Sequence, residues 1–345
     1  MEQEKEVSRR LASVETISAI EPIAGADAIE VAHIRGWQVV VRKGEFAAGD
    51  PVLYVEVDAA LPLDDERFAF LESRGKKIFG GRKVHVLKTV KLRGIYSQGI
   101  AFPLAEFPEL AAESNVDEVL GIALWEPPLP PGMANAKGNF PGFLVKTDAE
   151  RVQNLSPKQW SEIQADRAGW VATEKVDGSS LTAWRTADGV VHVASRNWEL
   201  VPAPDNTWFA LVAELPLQIG QWLQGEVVGP GVQANPLQLK QVKLLVFGFG
   251  TFDAEHPDLA TTTRLGRNAW PDWALRNAVP VYSDLELPET IAEAVTQAET
   301  IKSLVTPGVG AEGIVWTHAD AVAPSRLGRP VFKSISAKYL LKHDR

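Results

Sequence analysis

Cysteine is absent from this chain of 345 residues. Without thiols the chain forms no disulfide, thiolate metal site or cysteine nucleophile, which fits a reducing compartment. No apolar run approaches the roughly 20 residues that a membrane-spanning helix needs. Residues 1–6 are mostly charged and contain no apolar signal core. We therefore expect a cytoplasmic protein that is neither secreted nor inserted in a membrane.

Basic residues are in the minority, with 35 Lys and Arg against 44 Asp and Glu, a formal net charge of −9. This balance argues against a protein that coats nucleic acid by bulk attraction. Between Glu72 and Glu106, however, there is no acidic residue, and this interval holds Arg74, Lys76, Lys77, Arg82, Lys83, Lys88, Lys91 and Arg93. Such a basic stripe suits a surface that follows phosphates, although a solvated strand face would have the same composition.

The length and the hydrophobic content of 45% predict a globular protein of two domains. A run rich in Pro, Gly and Asn predicts an exposed linker over residues 126–142. We expect one domain over 1–125 and a second over 143–345. The first domain reads as short strands separated by turns, which is typical of a small barrel or sandwich. These strands are predicted at 11–20, 29–34, 37–41, 52–57, 84–92 and 99–103.

The second domain mixes strand patterns with helical patterns. Its clearest helix is predicted over 288–304, where Pro288 suits the first turn. The apolar positions at helical spacing are Ile291, Ala294, Val295, Ala298, Ile301 and Leu304. We expect this stripe to face the core and to carry no chemistry.

The most informative stretch is Lys175-Val176-Asp177-Gly178. A lysine at the end of an apolar strand can act as a nucleophile, and an aspartate two residues later can orient a metal or a phosphate. The glycine allows a tight turn. A solvated strand turn would have the same four residues, so the weight of the pattern depends on partners elsewhere in the chain.

Candidate partners follow downstream. Arg196 comes after a short strand pattern and suits a phosphate or a ribose. Glu226 ends a strand before a glycine-rich turn. Phe247 and Phe249 are predicted to share one face of a strand, where one could stack on a purine or both could pack in the core.

Two further segments complete the set. Glu312 enters a predicted strand, and Lys333 begins a late run that contains Lys338. In this order, the segments 146–154, 174–178, 225–233, 312–315 and 332–339 resemble the ATP-dependent RNA ligases. The resemblance is to the family in which an OB domain precedes the nucleotidyltransferase domain. Residues 90–99 resemble the end of an OB barrel of the tRNA-binding type, with Tyr96 and the basic stripe as its contacts to nucleic acid.

The resemblance implies an α+β fold: an N-terminal OB-like β-barrel and a C-terminal mixed α/β nucleotidyltransferase domain with antiparallel sheets. It implies an enzyme that uses ATP and Mg²⁺ or Mn²⁺ to form a lysyl-AMP intermediate and an adenylated 5′-end. The product is a sealed junction between a 3′-OH and a 5′-phosphate. The implied partner is RNA with nicked or splinted ends, or RNA/DNA hybrids, and we expect a monomer.

The resemblance also implies residue roles. Catalysis falls to Lys175, Asp177, Glu312 and Lys333. The nucleotide is bound by Arg151, Glu174, Lys175, Gly178, Arg196, Glu226, Phe247, Lys333 and Lys338. A hydrated metal ion, which prefers oxygen ligands, is held by Asp177, Glu226 and Glu312. Alternatively Glu226 bonds the ribose, while Glu174 selects adenine by accepting a hydrogen bond from its exocyclic amine.

The last motif departs from the family pattern. Many ligases carry two lysines separated by one residue on the final strand, whereas here Ile335 stands two residues after Lys333. Lys338 or Lys342 is the candidate substitute, unless one lysine suffices.

The pattern leaves alternatives to an RNA ligase. DNA ligases and capping guanylyltransferases place an OB domain after the catalytic domain, and with 12 residues after Lys333 we expect no such domain and neither of these enzymes. An RNA-binding protein with a degenerate catalytic domain is the non-enzymatic alternative. A polynucleotide ligase that acts mainly on DNA ends also stays open.

Overall fold

A computed structural model describes residues 10–110, 115–125, 136–203 and 205–343. The chain divides into two compact units, one formed by Met1–Pro127 with Ala337–Arg345 and the other by Pro128–Ser336. Most of the predicted linker, 126–135, lies outside the described residues. Its last part was predicted wrongly, because Ala136–Asn139 is a strand of the second unit.

The first unit consists mainly of short antiparallel strands. They are β1 (Ala12–Thr16), β2 (Ala19–Pro22), β3 (Ile29–Ile34), β4 (Trp37–Arg42), β5 (Pro51–Val55), β6 (Ala59–Pro62), β7 (Lys77–Phe79), β8 (Arg82–Val86), β9 (Val90–Leu92), β10 (Ile95–Ser97), β11 (Ile100–Pro103) and β12 (Ala123–Leu124). Its helices are α1 (Val116–Leu120), α6 (Ala337–Lys342) and the 3-10 helices Ala69–Arg74 and Leu104–Glu106. The strands pair in the orders β1-β5-β11, β2-β3-β4, β12-β6-β8-β7 and β10-β9.

Strand β5 is covered on both faces, as expected where a small sheet closes on itself. Leu53 and Val55 pack in one apolar cluster, while Val52 and Tyr54 pack in another. Strand β3 has the predicted bounds. The predicted strand 11–20 is two strands, because the chain turns at Ile17, whose N–H bonds to the carbonyl of Asp50.

The second unit carries the larger sheets. Its strands are β13 (Ala136–Asn139), β14 (Glu150–Arg151), β15 (Trp170–Lys175), β16 (Ser179–Arg185), β17 (Val191–Ala194), β18 (Trp198–Leu200), β19 (Gln221–Val228), β20 (Lys243–Thr251), β21 (Thr263–Arg264), β22 (Gly313–His318) and β23 (Val331–Ile335). Its helices are α2 (Pro157–Ala165), α3 (Thr207–Ala213), α4 (Asp272–Arg276), α5 (Ile291–Thr300) and the 3-10 helices Val152–Asn154, Arg167–Gly169, Leu259–Thr261 and Arg267–Ala269.

Two sheets position the motifs that the sequence analysis identified. A seven-stranded sheet runs β13-β18-β17-β16-β19-β20-β21, and a four-stranded sheet runs β14-β23-β22-β15. Strand β15 of the smaller sheet leads through the turn 176–178 directly into β16 of the larger one. The KVDG stretch is therefore the covalent link between the two sheets.

Helix α5 is shorter than predicted. Thr290 caps it through a capping box with Glu293, and the backbone is extended again at Ile301. Ile291, Ala294 and Ala298 face the core as expected. Leu304 was assigned to the stripe wrongly, because it lies beyond the helix and is 47% exposed. Among the described residues, no helix is both long and apolar enough to cross a membrane.

Candidate active site

One face of the four-stranded sheet collects three cations. Alternation along the strands sends Ala172, Ile314 and Trp316 into an apolar core, so the neighbouring positions point the other way. Lys175 pairs with Gly313 across β15 and β22, and Lys333 lies beside Arg151 in the parallel pair of β23 and β14. The side of the sheet opposite this core therefore carries Lys175, Lys333 and Arg151.

The seven-stranded sheet supplies a carboxylate. Leu181 and Val227 pack in the core of this sheet, and Glu226, opposite Ser180, points to the other face. Gly178 makes the link between the sheets possible, because a Cβ there would lie 2.2 Å from the carbonyl oxygen of Val227 and 2.9 Å from a carbon of Glu226. Only a glycine fits so close an approach of two strands.

Lys175 forms an ion pair with Glu312. Its Nζ lies 2.8 Å from Oε2 of Glu312, and the side chains are 23% and 9% exposed. Burial lowers the pKa of Lys175, but the carboxylates of Glu312, Glu226 and Asp177 together outweigh this and raise the pKa above its usual value. The lysine is therefore a protonated ammonium in this state.

Glu226 has the opposite character. Burial raises its pKa to about 8, the carboxylates of Glu312 and Asp177 add to this, and the charges of Lys175 and Arg196 oppose it. Asp177, Glu226 and Glu312 thus surround the lysine closely enough to influence one another. Within the described residues no three His, Asp or Glu side chains could hold a metal ion on their own. Asp177, Glu226 and Glu312 form no such group in this structure, and carboxylates spaced in this way suit an ion that retains waters.

Glu226→Gln is expected to stabilise the folded protein at alkaline pH. The pKa of Glu226 is raised from 4.5 to about 8 in the folded protein, so the wild type loses stability as pH rises through this window. Glutamine carries no charge and escapes this loss. Thermal unfolding should show a higher Tm for the variant at pH 9 and a much smaller difference near pH 5. The exposed control Glu255→Gln should show neither effect, and a pH-independent difference for Glu226→Gln would contradict the prediction.

The segment that contains Arg151 is tied across the face of the larger sheet. The hydroxyls of Thr147 and Ser180 lie 3.2 Å apart, and Asp148 forms an ion pair of 2.6 Å with Arg196. Arg329 donates to the carbonyls of Lys146 and Asp148. Sequence reasoning used this run only for Arg151 and missed Asp148 and Arg329. Asp148 could have been noticed in the sequence, because an acidic residue is unexpected in a run that is predicted to bind phosphates.

Phe247 and Phe249 do not share a face, contrary to the prediction. Gln224 pairs with Gly248 and Gly225 with Val246, so Phe247 is the extra residue of a β-bulge in β20. Phe249 is 1% exposed and packs in the core of the large sheet. Phe247 instead packs beside Val176. It belongs to an apolar group, the Val176 cluster, that consists of Val176, Val228, Leu237 and Val279 with Leu239, Leu245, Phe247 and Val305 against them.

Glu174 lies on the side of the sheet opposite Lys175. It pairs with the core residue Ile314 and is 1% exposed. Its carboxylate accepts hydrogen bonds from Ser303 and from the backbone of Leu304 and Val305. The predicted hydrogen bond to adenine therefore competes with partners that this carboxylate already has.

The last motif is divided between two elements. Lys333 is on β23, while Lys338 and Lys342 belong to α6, which is part of the first unit. Ile335 occupies the strand position of the missing lysine, is 5% exposed, and pairs with the Gly313 that faces Lys175. The structure brings Lys333 into the strand register of the site and does not place Lys338 on that strand.

Comparisons with known proteins agree with this architecture. A family model described as an OB-fold domain matches residues 11–104, and one described as RNA ligase matches residues 168–335. A comparison with curated protein sequences finds no match.

Solved structures of Naegleria gruberi RNA ligase match nearly the whole chain. The structure with PPi is 34% identical, covers 98% of this chain and 100% of that one, and has a TM-score of 0.83. A lysine-to-alanine mutant with ATP and Mn is 34% identical, covers 97% and 99%, and has a TM-score of 0.81. A glutamate-to-alanine mutant with AMP and Mn is 34% identical, covers 97% and 99%, and has a TM-score of 0.82.

The fold is thus an N-terminal OB fold followed by a nucleotidyltransferase domain built from antiparallel sheets, as the sequence predicted. The chain belongs to the RNA ligase family, and within it to the ligases whose OB domain comes first.

Proposed function

We propose that this enzyme seals RNA 3′-OH and 5′-phosphate ends with ATP, through a lysyl-AMP intermediate on Lys175 and an adenylated 5′-end. The observation that carries the proposal is the placement of Lys175. It lies on a sheet face that also carries Lys333 and Arg151, and it is paired with Glu312. The N. gruberi structures contain ATP, AMP or PPi, which are the substrate and the two leaving fragments of such a reaction.

In the first step the Nζ of Lys175 attacks the α-phosphorus of ATP. A P–N bond forms, the P–O bond to the β-phosphate breaks, and pyrophosphate leaves. The lysine must first lose a proton. The three surrounding carboxylates raise its pKa and therefore oppose this deprotonation. Positive charge near those carboxylates lowers the pKa of Lys175 again, because it cancels the negative potential that holds the proton.

The residues at hand can supply part of that charge. Lys333 and Arg151 share the face with Lys175 and suit the negative charge that grows on the phosphoryl oxygens. Asp177, Glu226 and Glu312 would hold a hydrated Mg²⁺ or Mn²⁺, consistent with the carboxylate chemistry of the site. Such an ion, when bound, neutralises charge on the transferred phosphate.

Base and ribose contacts follow from the same geometry. Phe247 is brought beside Val176 by the bulge and can stack on a purine. Arg196 is half exposed next to Asp148 and its charge reaches Glu226, so both face the same region of the larger sheet. We assign ribose and phosphate binding to Arg196, and the hydrated metal ion to Glu226 with the other two carboxylates.

The remaining steps move AMP from the lysine to the RNA. An oxygen of the 5′-phosphate attacks the lysyl-AMP, the P–N bond breaks, and a P–O–P bond forms. The 3′-OH then attacks the 5′-phosphorus, which makes the phosphodiester and releases AMP. Neither later step needs Lys175 as a nucleophile.

The test is to incubate the protein with α-labelled ATP and Mg²⁺, denature it, and measure label retained on the chain. Nicked duplexes with RNA or DNA on each side of the nick are then assayed for sealing. Retained label and sealing at an RNA end are expected. RNA binding without any adduct would overturn the proposal in favour of a degenerate binding protein, and sealing of DNA ends alone would overturn the RNA assignment.

The basic stripe of the first unit is the surface proposed to bind RNA. It runs from Arg74 through β7 to β10 and carries exposed Ile78, Val90 and Leu92 among its cations. Lys77 lies 4.2 Å above the ring of Trp125 and Lys91 lies 4.8 Å above that of Tyr96. Two members are already partnered by acids, Lys76 by Glu72 and Arg82 by Asp64. The stripe is therefore a mixed surface of cations and apolar side chains, which suits single strands and RNA ends.

Replacing Lys83 and Lys91 together by alanine is expected to weaken RNA binding and its salt dependence. Each lost phosphate contact lowers the slope of log affinity against log salt by roughly 0.7 to 0.9. Affinity should be measured by fluorescence anisotropy at several salt concentrations. The control Lys43→Ala removes an exposed cation outside the stripe and should leave the slope unchanged. An unchanged slope in the double variant would exclude these two residues as phosphate contacts.

A further inference from the structure

The carboxylate of Glu174 organises a loop. Ser303 Oγ donates to Oε1 at 2.5 Å, and the N–H groups of Leu304 and Val305 donate to Oε2 at 2.7 and 3.1 Å. The N–H of Thr306 donates in turn to Ser303 Oγ at 3.0 Å. One buried carboxylate thus holds three consecutive residues directly and Thr306 through Ser303. A buried carboxylate that satisfies so many donors leaves them unpaired when it is removed.

The same loop is fastened to the walls of the Val176 cluster. Thr306 Oγ1 donates to the carbonyl of Leu237 at 2.7 Å, and Val305 packs against the cluster that contains Phe247. The hydroxyl of Tyr282 donates to the carbonyl of Lys302 at 2.8 Å. Residues 302–306 therefore cover the apolar group beside the aromatic ring that we assign to the base.

We propose that Glu174 is a positioning residue for nucleotide binding. Its carboxylate holds residues 303–306 against the Val176 cluster, and this segment forms a wall of the base pocket beside Phe247. The carboxylate itself does not touch the base. The inference rests on the proposed function, because it assigns the base to this cluster.

The arrangement separates binding from reaction. Lys175 and Lys333 lie on the face of the four-stranded sheet opposite Glu174, and Glu312 is paired with Lys175, so loss of the Glu174 contacts leaves them in place. A disordered wall weakens binding of the base, whereas saturating nucleotide restores the wall. The effect should therefore appear in KM for ATP rather than in kcat for adenylate formation.

The experiment compares Glu174→Ala and Glu174→Gln with the wild type. Lysyl-adenylate formation is measured against ATP and against purine riboside triphosphate, which lacks the 6-amino group. We expect KM to rise roughly tenfold or more for Glu174→Ala, as for loss of hydrogen bonds to a charged group. Glu174→Gln, which keeps one acceptor oxygen, should show a smaller rise. Both nucleotides should be affected by the same factor, with kcat little changed.

Three outcomes would overturn the proposal. A loss confined to ATP would show a direct contact with the amino group. An unchanged KM would show that the loop is no part of the pocket, and a fall in kcat alone would place Glu174 in the reaction. Ser303→Ala removes one of the donors to Glu174 and changes no residue of strand β15, so it should reproduce part of the rise in KM. This variant tests the proposal even if Glu174→Ala does not fold. Glu293→Gln, in the cap of α5, is the matched control. Failure of the wild type to form any adduct would refute the proposed function instead.

Discussion

Lys175→Ala is expected to abolish the label that wild-type protein retains from α-labelled ATP. Among the described residues of this site, Lys175 is the amine that is paired with Glu312 and directly precedes the turn 176–178. Lys175→Arg should fail as well, because a guanidinium does not lose its proton at accessible pH. Label is measured after denaturation, so that non-covalent nucleotide is removed.

Sealing of pre-adenylated RNA separates chemistry from misfolding. Because the last step uses the 3′-OH as its nucleophile, Lys175→Ala should still join an RNA end that already carries AMP. Lys158→Ala, on the exposed first turn of α2, is the control and should behave as wild type. Retention of label by Lys175→Ala would assign the adduct to another residue and refute the mechanism.

Lys333→Ala is expected to reduce adenylate formation by about two to three orders of magnitude, the usual cost of removing a group that stabilises transition-state charge. Lys333 lies beside Arg151 and in register with Val315, on the face that carries Lys175. The loss should appear in kcat measured by single-turnover labelling, since the group acts on charge that grows during the reaction.

Lys338→Ala is the matched comparison for Lys333→Ala. Lys338 is the second residue of α6 and is not on strand β23, so we expect its removal to leave the adenylation rate almost unchanged. Equal losses in the two variants would show that Lys338 replaces the second lysine of the family pattern. A normal rate in Lys333→Ala would remove Lys333 from the reaction.

Local sequence pattern was sufficient to predict the family and some of the strands. The order of the motifs around Lys175, Glu226, Glu312 and Lys333 predicted the family, and alternating apolar residues predicted strands such as β3. These succeed because a strand of period two shows its buried face in the sequence itself. A capping pair such as Thr290 and Glu293 is equally local, and it could have placed the start of α5 correctly.

Other features depended on contacts between distant segments. The bulge at Phe247 arises from the pairing of β20 with β19, so no pattern within 243–251 separates its ring from that of Phe249. The partners of Glu174 come from 303–305, some 130 residues away, and the partner of Arg196 comes from 148. A side chain's partners depend on how sheets fold together, which single-segment propensities do not contain.

The sequence by itself determined the family of this protein, because a lysine, carboxylates and cations follow one another in the order of an RNA ligase, behind an OB domain. That order can be read from the sequence without any knowledge of the folded structure. Only the tertiary structure decided where each group points. Strand register placed Lys175, Lys333 and Arg151 on one face and turned Glu174 to the other, because neighbours along a strand face opposite sides of the sheet.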